Sequence, residues 1–391
     1  MGACASSPKA VSFAVPPTGL TLDMTNIIDI PFQPNVSQLF THSLKTGRLH
    51  SAYLFTGNEG VGKWMAAIII ASKLLSLQWD RDSDIQACVK KTRKLIHPDL
   101  HILFPMPSPK TKAEEAELPQ FFRETKAHDP FAPVEYGRAA NILVHKVREL
   151  KISLYSTPAE GGYRIAIFQQ VERMPVTSFD ILLKTIEEPP PRTVLFLLTD
   201  NARRLPQTVI SRCQKVRFAP VARSFIEDYL IRTRDLDPDE ARRFAALSGG
   251  SFTEACKLCE VDISDRRDIA IRTLKAFVSG GKTAGLTALW ENVNLRNQDE
   301  SMAIVKLWQS LIRDALLVKE NVDDSLLTNY DLKNDLEVIA SSYGNLENMC
   351  ISMVELLESQ KLFYRNVPPR HALTQAGWRL AELSSSGSSH N

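Results

Sequence analysis

The sequence predicts an α/β protein: a phosphate-loop domain on a parallel sheet, followed by a small helical unit and an all-α C-terminal domain. Three observations predict it. The apolar run Tyr53-Leu54-Phe55 leads straight into Gly57-Asn58-Glu59-Gly60-Val61-Gly62-Lys63, and Met65 to Leu77 follows with helical character. Strand, glycine loop and helix in that order are the context such a loop requires. Short apolar runs at Leu100–Phe104, Arg164–Phe168, Thr193–Thr199 and Lys215–Phe218 then alternate with helical segments, the pattern of a parallel sheet covered on both faces. After Pro220 such runs stop, and long amphipathic stretches such as Met302–Lys319 and Leu346–Tyr364 take over.

Composition narrows the class. A chain of 391 residues with 44% hydrophobic content has material for about two or three cored domains. The net charge of +2, from 47 basic and 45 acidic residues, gives no global attraction to nucleic acid, so any such contact is local. No apolar stretch approaches the ~18 residues of a membrane span. Six scattered cysteines do not form a disulfide framework and fit a reducing cytoplasm.

In chain order, residues 1–34, with Pro8, Pro16, Pro17, Pro31 and Pro34, read as a flexible leader. Its start, Met1-Gly2-Ala3-Cys4-Ala5-Ser6, fits a short myristoylation pattern. Residues 35–221 form the sheet domain, beginning with helical spacing from Val36 to Leu44. The Pro-, Lys- and Glu-rich stretch at about 105–138 reads as an inserted solvated loop or locally disordered segment. Residues 222–261 form the small helical unit, 262–383 the C-terminal helical domain, and 384–391 a polar tail.

The chemistry-bearing residues start with the loop. Gly57, Gly60 and Gly62 let backbone amides face a phosphate, and Lys63 supplies the positive charge. The next position should carry a hydroxyl that holds magnesium, and Trp64 stands there. An indole is no metal ligand. After the run ending at Phe168, where acids normally handle magnesium and water, the chain has Gln169 and Gln170, with Glu172 alone nearby. Nucleotide binding can survive such losses, whereas hydrolysis is not expected to. The bland alternatives are a surface lysine beside a tight turn for Lys63, and a modest adaptation in a live ATPase for Trp64. Cys256 and Cys259 read as packed thiols on a helix, and His97 and His101 as core or loop histidines.

Several further segments resemble the clamp-loader branch of the AAA+ ATPases, and within it the delta-prime family of bacterial DNA polymerase III. They are His97-Pro98-Asp99-Leu100-His101, Leu182-Leu183-Lys184-Thr185-Ile186-Glu187-Glu188-Pro189-Pro190, Ile210-Ser211-Arg212-Cys213-Gln214 and Tyr364-Arg365-Asn366, spread over roughly residues 36–380. The resemblance implies an AAA+ domain with a degenerate loop, a helical lid at 222–261 and an oligomerisation collar at 262–383. It further implies that Arg212, flanked by Ser211 and Cys213, is an arginine finger reaching nucleotide on a neighbouring subunit. Thr199 falls at the first sensor, and Gly250-Ser251-Phe252-Thr253 lacks the arginine of the second. A guanidinium is permanently charged and forked, which suits it to a transferred phosphoryl group. Without the family, Arg212 reads as a structural arginine paired with a carboxylate.

Delta-prime proteins often carry a four-cysteine zinc module after the loop helix. Here Cys88 matches one position and Lys91 and Lys94 stand at the next two, so zinc is not expected. The implied role is a non-hydrolysing scaffold, not an enzyme by itself, that needs no cofactor. It would work in a bacterial cytoplasm with tau/gamma and delta subunits, the sliding clamp and primed DNA. An active tau/gamma-type ATPase and an AAA+ interaction module outside replication are the alternatives.

Overall fold

The computed structural model describes residues 28–385, apart from 135, 161, 260–262, 296, 324–325 and 365–366. It divides after Lys257 into two compact units.

In the first unit, β1 (Ala52–Thr56), β2 (Leu100–Leu103), β3 (Arg164–Phe168), β4 (Thr193–Thr199) and β5 (Gln214–Arg217) form one sheet in the order β2-β3-β4-β1-β5. Every pairing is parallel. All residues of β3 and β4 are buried, which is why these strands are continuous apolar runs without alternation. The expected α/β sheet domain is therefore present, each strand within a residue or two of its sequence position. Helices α1 (Pro34–Lys45), α2 (Lys63–Ser76), α3 (Asp82–Arg93), α4 (Lys112–His128), α5 (Val144–Tyr155), α6 (Val176–Glu187) and α7 (Gln207–Ile210) fill the connections. Phe168, Phe179, Leu182, Leu195, Leu197 and Val209 lie in one core cluster between sheet and helices. The small helical unit consists of α8 (Arg223–Arg234), α9 (Pro238–Leu247) and α10 (Phe252–Cys259).

The register places the functional segments. Thr56 of β1 lies opposite Thr199 of β4, and Phe168 of β3 opposite Leu197. The glycine loop, Gln169 and Asp200 thus leave the sheet side by side at its C-terminal edge, where α/β sheets take ligands.

Two expectations are corrected. The insertion contains the 17-residue helix α4, where a solvated loop was expected. Thr111 caps it by accepting from the Glu114 amide at 3.2 Å, and Glu114 Oε2 accepts from the Lys110 amide at 2.6 Å. Its charged face hides the buried Leu118 and Phe122. Part of the supposed leader is also structural: Ile28, Ile30 and Phe32 are buried, and the Ile28 amide donates to Thr41 Oγ1 of α1 at 3.0 Å. The start of the chain, with its myristoylation-like pattern, lies outside the described residues.

The second unit is helical among its described residues: α11 (Ile263–Asn292), α12 (Gln298–Lys319), α13 (Lys333–Ser342), α14 (Leu346–Tyr364) and α15 (Pro369–Ser385). The residues read as a polar tail begin inside α15, with Ser384 buried. Helix α11 bends at Gly281, where φ is +79°. Phe277 packs against Gly285 and Gly377, positions where any Cβ would strike its ring. Buried Trp308 stands edge-on to Phe277 and donates from Nε1 to the Ala270 carbonyl at 3.0 Å. No described helix is long and apolar enough to cross a membrane.

Candidate functional site: the glycine loop and the Ser-Arg-Cys segment

Gly57, Gly60 and Gly62 all have positive φ, so the loop has the left-handed turns that glycine permits. Gly62 precedes the first turn of α2, where backbone N–H groups have no helical partner and would suit an anion. The loop is nevertheless occupied by its own side chain. Lys63 is buried, and its Nζ donates to the Gly57 carbonyl at 2.6 Å and the Asn58 carbonyl at 2.5 Å, and pairs with Asp200 Oδ1 at 2.7 Å. An ammonium has three protons, so these partners take all of them. A phosphate would have to displace Asp200 or the carbonyls.

Trp64 points away from any ligand role. It is 7% exposed and meets Phe122 of α4 edge to face, with ring centres 5.5 Å apart. Phe122 in turn stacks on Phe104, just beyond β2, at 3.7 Å and 6°. Trp64 thus helps anchor the inserted helix.

The residues following β3 offer little metal chemistry. Gln170 adopts φ +48°, and Gln169 Oε1 is buried without a hydrogen-bond partner. Glu172 Oε1 accepts from the Asp200 amide at 3.3 Å, while its Oε2 has no hydrogen bond. Thr199 Oγ1 is taken by the Asn201 amide at 3.0 Å. Among the described residues no group of three or more His, Cys, Asp or Glu side chains is arranged to hold a metal ion. At Cys88 burial, reinforced by Glu160, raises the thiol to about 11, and Lys91 pairs with Glu160 at 2.6 Å. Glu160 also lies 3.2 Å from His97 Nε2, and burial pushes that imidazole below its ordinary value.

A cavity of about 450 Å³ opens beside the loop. Its walls bring together Gly60, Gly62, Lys63, Trp64, Gln169, Gln170 and Asp200 from the sheet edge, Phe122, Lys126, Phe131 and Arg138 from the insertion, and Thr253 and Lys257 from α10. Sequence reasoning missed Phe122, Lys126, Phe131 and the pairing of Asp200. Burial draws the Lys126 ammonium down to about 8. It donates to the carbonyls of Pro130 at 3.2 Å and Ala132 at 2.7 Å.

Arg212 lies elsewhere. It sits in the turn between α7 and the edge strand β5, which runs parallel to β1 with Gln214 opposite Tyr53. The Ser211-Arg212-Cys213 segment is therefore at the N-terminal edge of the sheet, and the glycine loop at the C-terminal edge, about 15 Å of strand away. Arg212 pairs with Glu187 at the end of α6, Nε to Oε1 at 2.5 Å, and donates to the Thr208 carbonyl at 3.0 Å. Ser211 Oγ bonds the same carbonyl at 3.1 Å, while Cys213 is buried. Of the C-terminal signature, Arg365 and Asn366 lie outside the described residues.

The family model described as DNA polymerase III, delta subunit, matches residues 32–222. That match spans the sheet domain. The chain is 30% identical over 232 residues to the DNA polymerase III subunit delta' of Bacillus subtilis, covering 59% of this chain and 60% of that protein. It is 23% identical over 309 residues to a gamma subunit of Buchnera aphidicola, covering 77% and 70%, and 22% identical over 324 residues to Escherichia coli tau, covering 80% and 46%. A Thermotoga maritima gamma-subunit-related protein aligns in structure with a TM-score of 0.38 at 13% identity, over 86% of this chain and 95% of that one. The relatives in sequence are thus subunits of the DNA polymerase III complex, of both delta' and tau/gamma type.

Proposed function

We propose that the chain is a delta-prime-type subunit of the bacterial DNA polymerase III clamp loader, a non-hydrolysing scaffold that donates Arg212 to a neighbouring ATPase. The observation that carries this reading is the separation of the two motifs. Arg212 sits at the sheet edge opposite the chain's own glycine loop, which argues against action on that loop and supports a role toward nucleotide on a neighbouring subunit. The loop supports the other half of the reading, since Lys63 is saturated by Gly57, Asn58 and Asp200 and Trp64 is engaged with Phe122. The subunit needs no cofactor and no zinc. Its partners are tau/gamma and delta subunits, the sliding clamp and, through the complex, primed DNA, in the cytoplasm.

A second reading, an active tau/gamma-type ATPase, is favoured by the retained lysine and by Glu172 beside Asp200. ATP turnover separates the two. The scaffold predicts no turnover by the isolated chain, and turnover in a mixture with a tau/gamma-type subunit, delta, clamp and primed DNA that collapses with Arg212→Ala while assembly persists. Turnover by the isolated chain establishes the active ATPase. An assembled mixture indifferent to Arg212→Ala removes the finger.

A further inference from the structure

The cavity beside the glycine loop is bounded by three parts of the chain: the sheet edge, the insertion and α10. A ligand filling it would touch all three and tie them together. The insertion already does so with protein groups. Helix α4 is fixed to the sheet side by Phe122 between Phe104 and Trp64. Its last turn carries Lys126, which gathers the carbonyls of Pro130 and Ala132 and so shapes the turn that follows.

That turn reaches into the small helical unit. Asp129 Oδ1 accepts from the Phe131 amide at 2.8 Å, the Ala132 amide at 3.2 Å and Tyr229 Oη of α8 at 2.6 Å. Its Oδ2 accepts from Arg234, at the end of α8, at 2.9 Å, with Cys256 Sγ of α10 at 3.9 Å. Phe131 stacks on Phe252 of α10 at 4.0 Å and stands edge-on to Tyr229 at 5.1 Å. Its carbonyl accepts from Thr253 Oγ1 at 2.8 Å. Asp129, Phe131, Tyr229, Phe252 and Thr253 are all buried. A buried carboxylate with this many donors is a rigid, high-stakes network, since losing one partner leaves a desolvated charge behind.

We infer that the turn Asp129–Ala132, carried by α4, is a strap that holds the small helical unit against the loop edge of the sheet, so that their relative position is set by the chain and not by a bound nucleotide. This goes beyond the scaffold role, because it concerns the chain's own internal geometry and is independent of Arg212. Other ties between the two parts lie beside the strap, among them Ser251 and Thr253 packed against Gly60 and the Val221 amide donating to the Gly250 carbonyl at 2.9 Å. The Phe252 amide donates to the Gly60 carbonyl at 2.9 Å, Phe32 stands edge-on to Phe252 at 5.9 Å, and the backbone links them at Pro220–Val221.

The test is amide hydrogen exchange on the full chain, with and without magnesium-ATP, for the wild type, Phe131→Ala and the milder Asp129→Asn, which keeps size and one acceptor oxygen. The strap predicts that both substitutions speed exchange in α8 and α9, Phe131→Ala by about tenfold or more, while β1, β3 and β4 keep their protection. It further predicts that magnesium-ATP leaves wild-type exchange in α8 and α9 unchanged. Unaltered exchange in α8 and α9 in the variants would overturn the inference. So would equal acceleration in the sheet, which marks general destabilisation, and so would wild-type protection that rises when magnesium-ATP is added. Should Phe131→Ala fail to fold, Asp129→Asn alone decides by the same criteria.

Discussion

Arg212 and Glu187 form an ion pair of 2.5 Å on the surface, with side chains 41% and 45% exposed. Pairs of this kind contribute less than about 1 kcal/mol, so holding Arg212 in place is a weak contact that an incoming phosphate can outcompete. Substituting either residue with alanine is expected to change unfolding free energy by less than about 1 kcal/mol in denaturant titration. On the proposed finger role the two variants separate in a mixture with a tau/gamma-type subunit, delta, clamp and primed DNA. Arg212→Ala is expected to reduce turnover by ~10³, as loss of an arginine finger does, whereas Glu187→Ala retains it.

On the scaffold reading a hydroxyl at position 64 is not expected to confer ATP turnover. Trp64→Thr removes a buried ring in contact with Phe122, and the expected loss is about 3 to 5 kcal/mol of stability, as for other large-to-small core changes. On the same reading ATP turnover by the isolated variant is expected to stay at background, because Gln169 and Gln170 offer no carboxylate after β3. Chemical denaturation and a phosphate-release assay check the two halves.

Gly62→Ala is expected to destabilise by more than about 1 kcal/mol, since its φ of +90° suits only glycine and the new Cβ would strike the Phe32 ring. Pairing it with Phe32→Ala relieves the steric part, so the double variant is expected to lose less than the sum of the singles. Thermal unfolding of the four proteins provides the comparison.

Lys126 makes a pH signature. Its folded-state value is drawn down from 10.5 to about 8 by burial, so between those values the unfolded chain binds a proton that the folded one releases. Stability therefore rises with pH across that window, by up to about 3 kcal/mol from this group. Lys126→Met lacks the group. The unfolding free energy of the wild type, measured relative to this variant, is expected to climb from pH 8 to pH 10.5 and to be flat below pH 7.

The sheet was legible because buried parallel strands are continuous apolar runs with little room for ambiguity, and the glycine loop because its spacing is tied to a strand and a helix. Helix α4 was not, because Pro119 and a run of Lys and Glu mimic a solvated loop. The signal lay in Thr111 and Glu114, spaced as a capping box, with Leu118 and Phe122 four residues apart on one face. Ile28, Ile30 and Phe32 were hidden by flanking prolines, since burial of three isolated side chains leaves no period to read. The Ser-Arg-Cys element stood out in sequence, but its partner Glu187 belongs to a different helix, and only the three-dimensional fold joins them.

The glycines of the loop have acquired neighbours that have nothing to do with phosphate. Ser251 and Thr253 occupy the space where a side chain at Gly60 would go, and Phe32 occupies that of Gly62. A side chain at either position would clash, so packing alone requires both glycines whether or not the loop holds a phosphate. In this chain the glycine spacing reports how tightly these segments are packed.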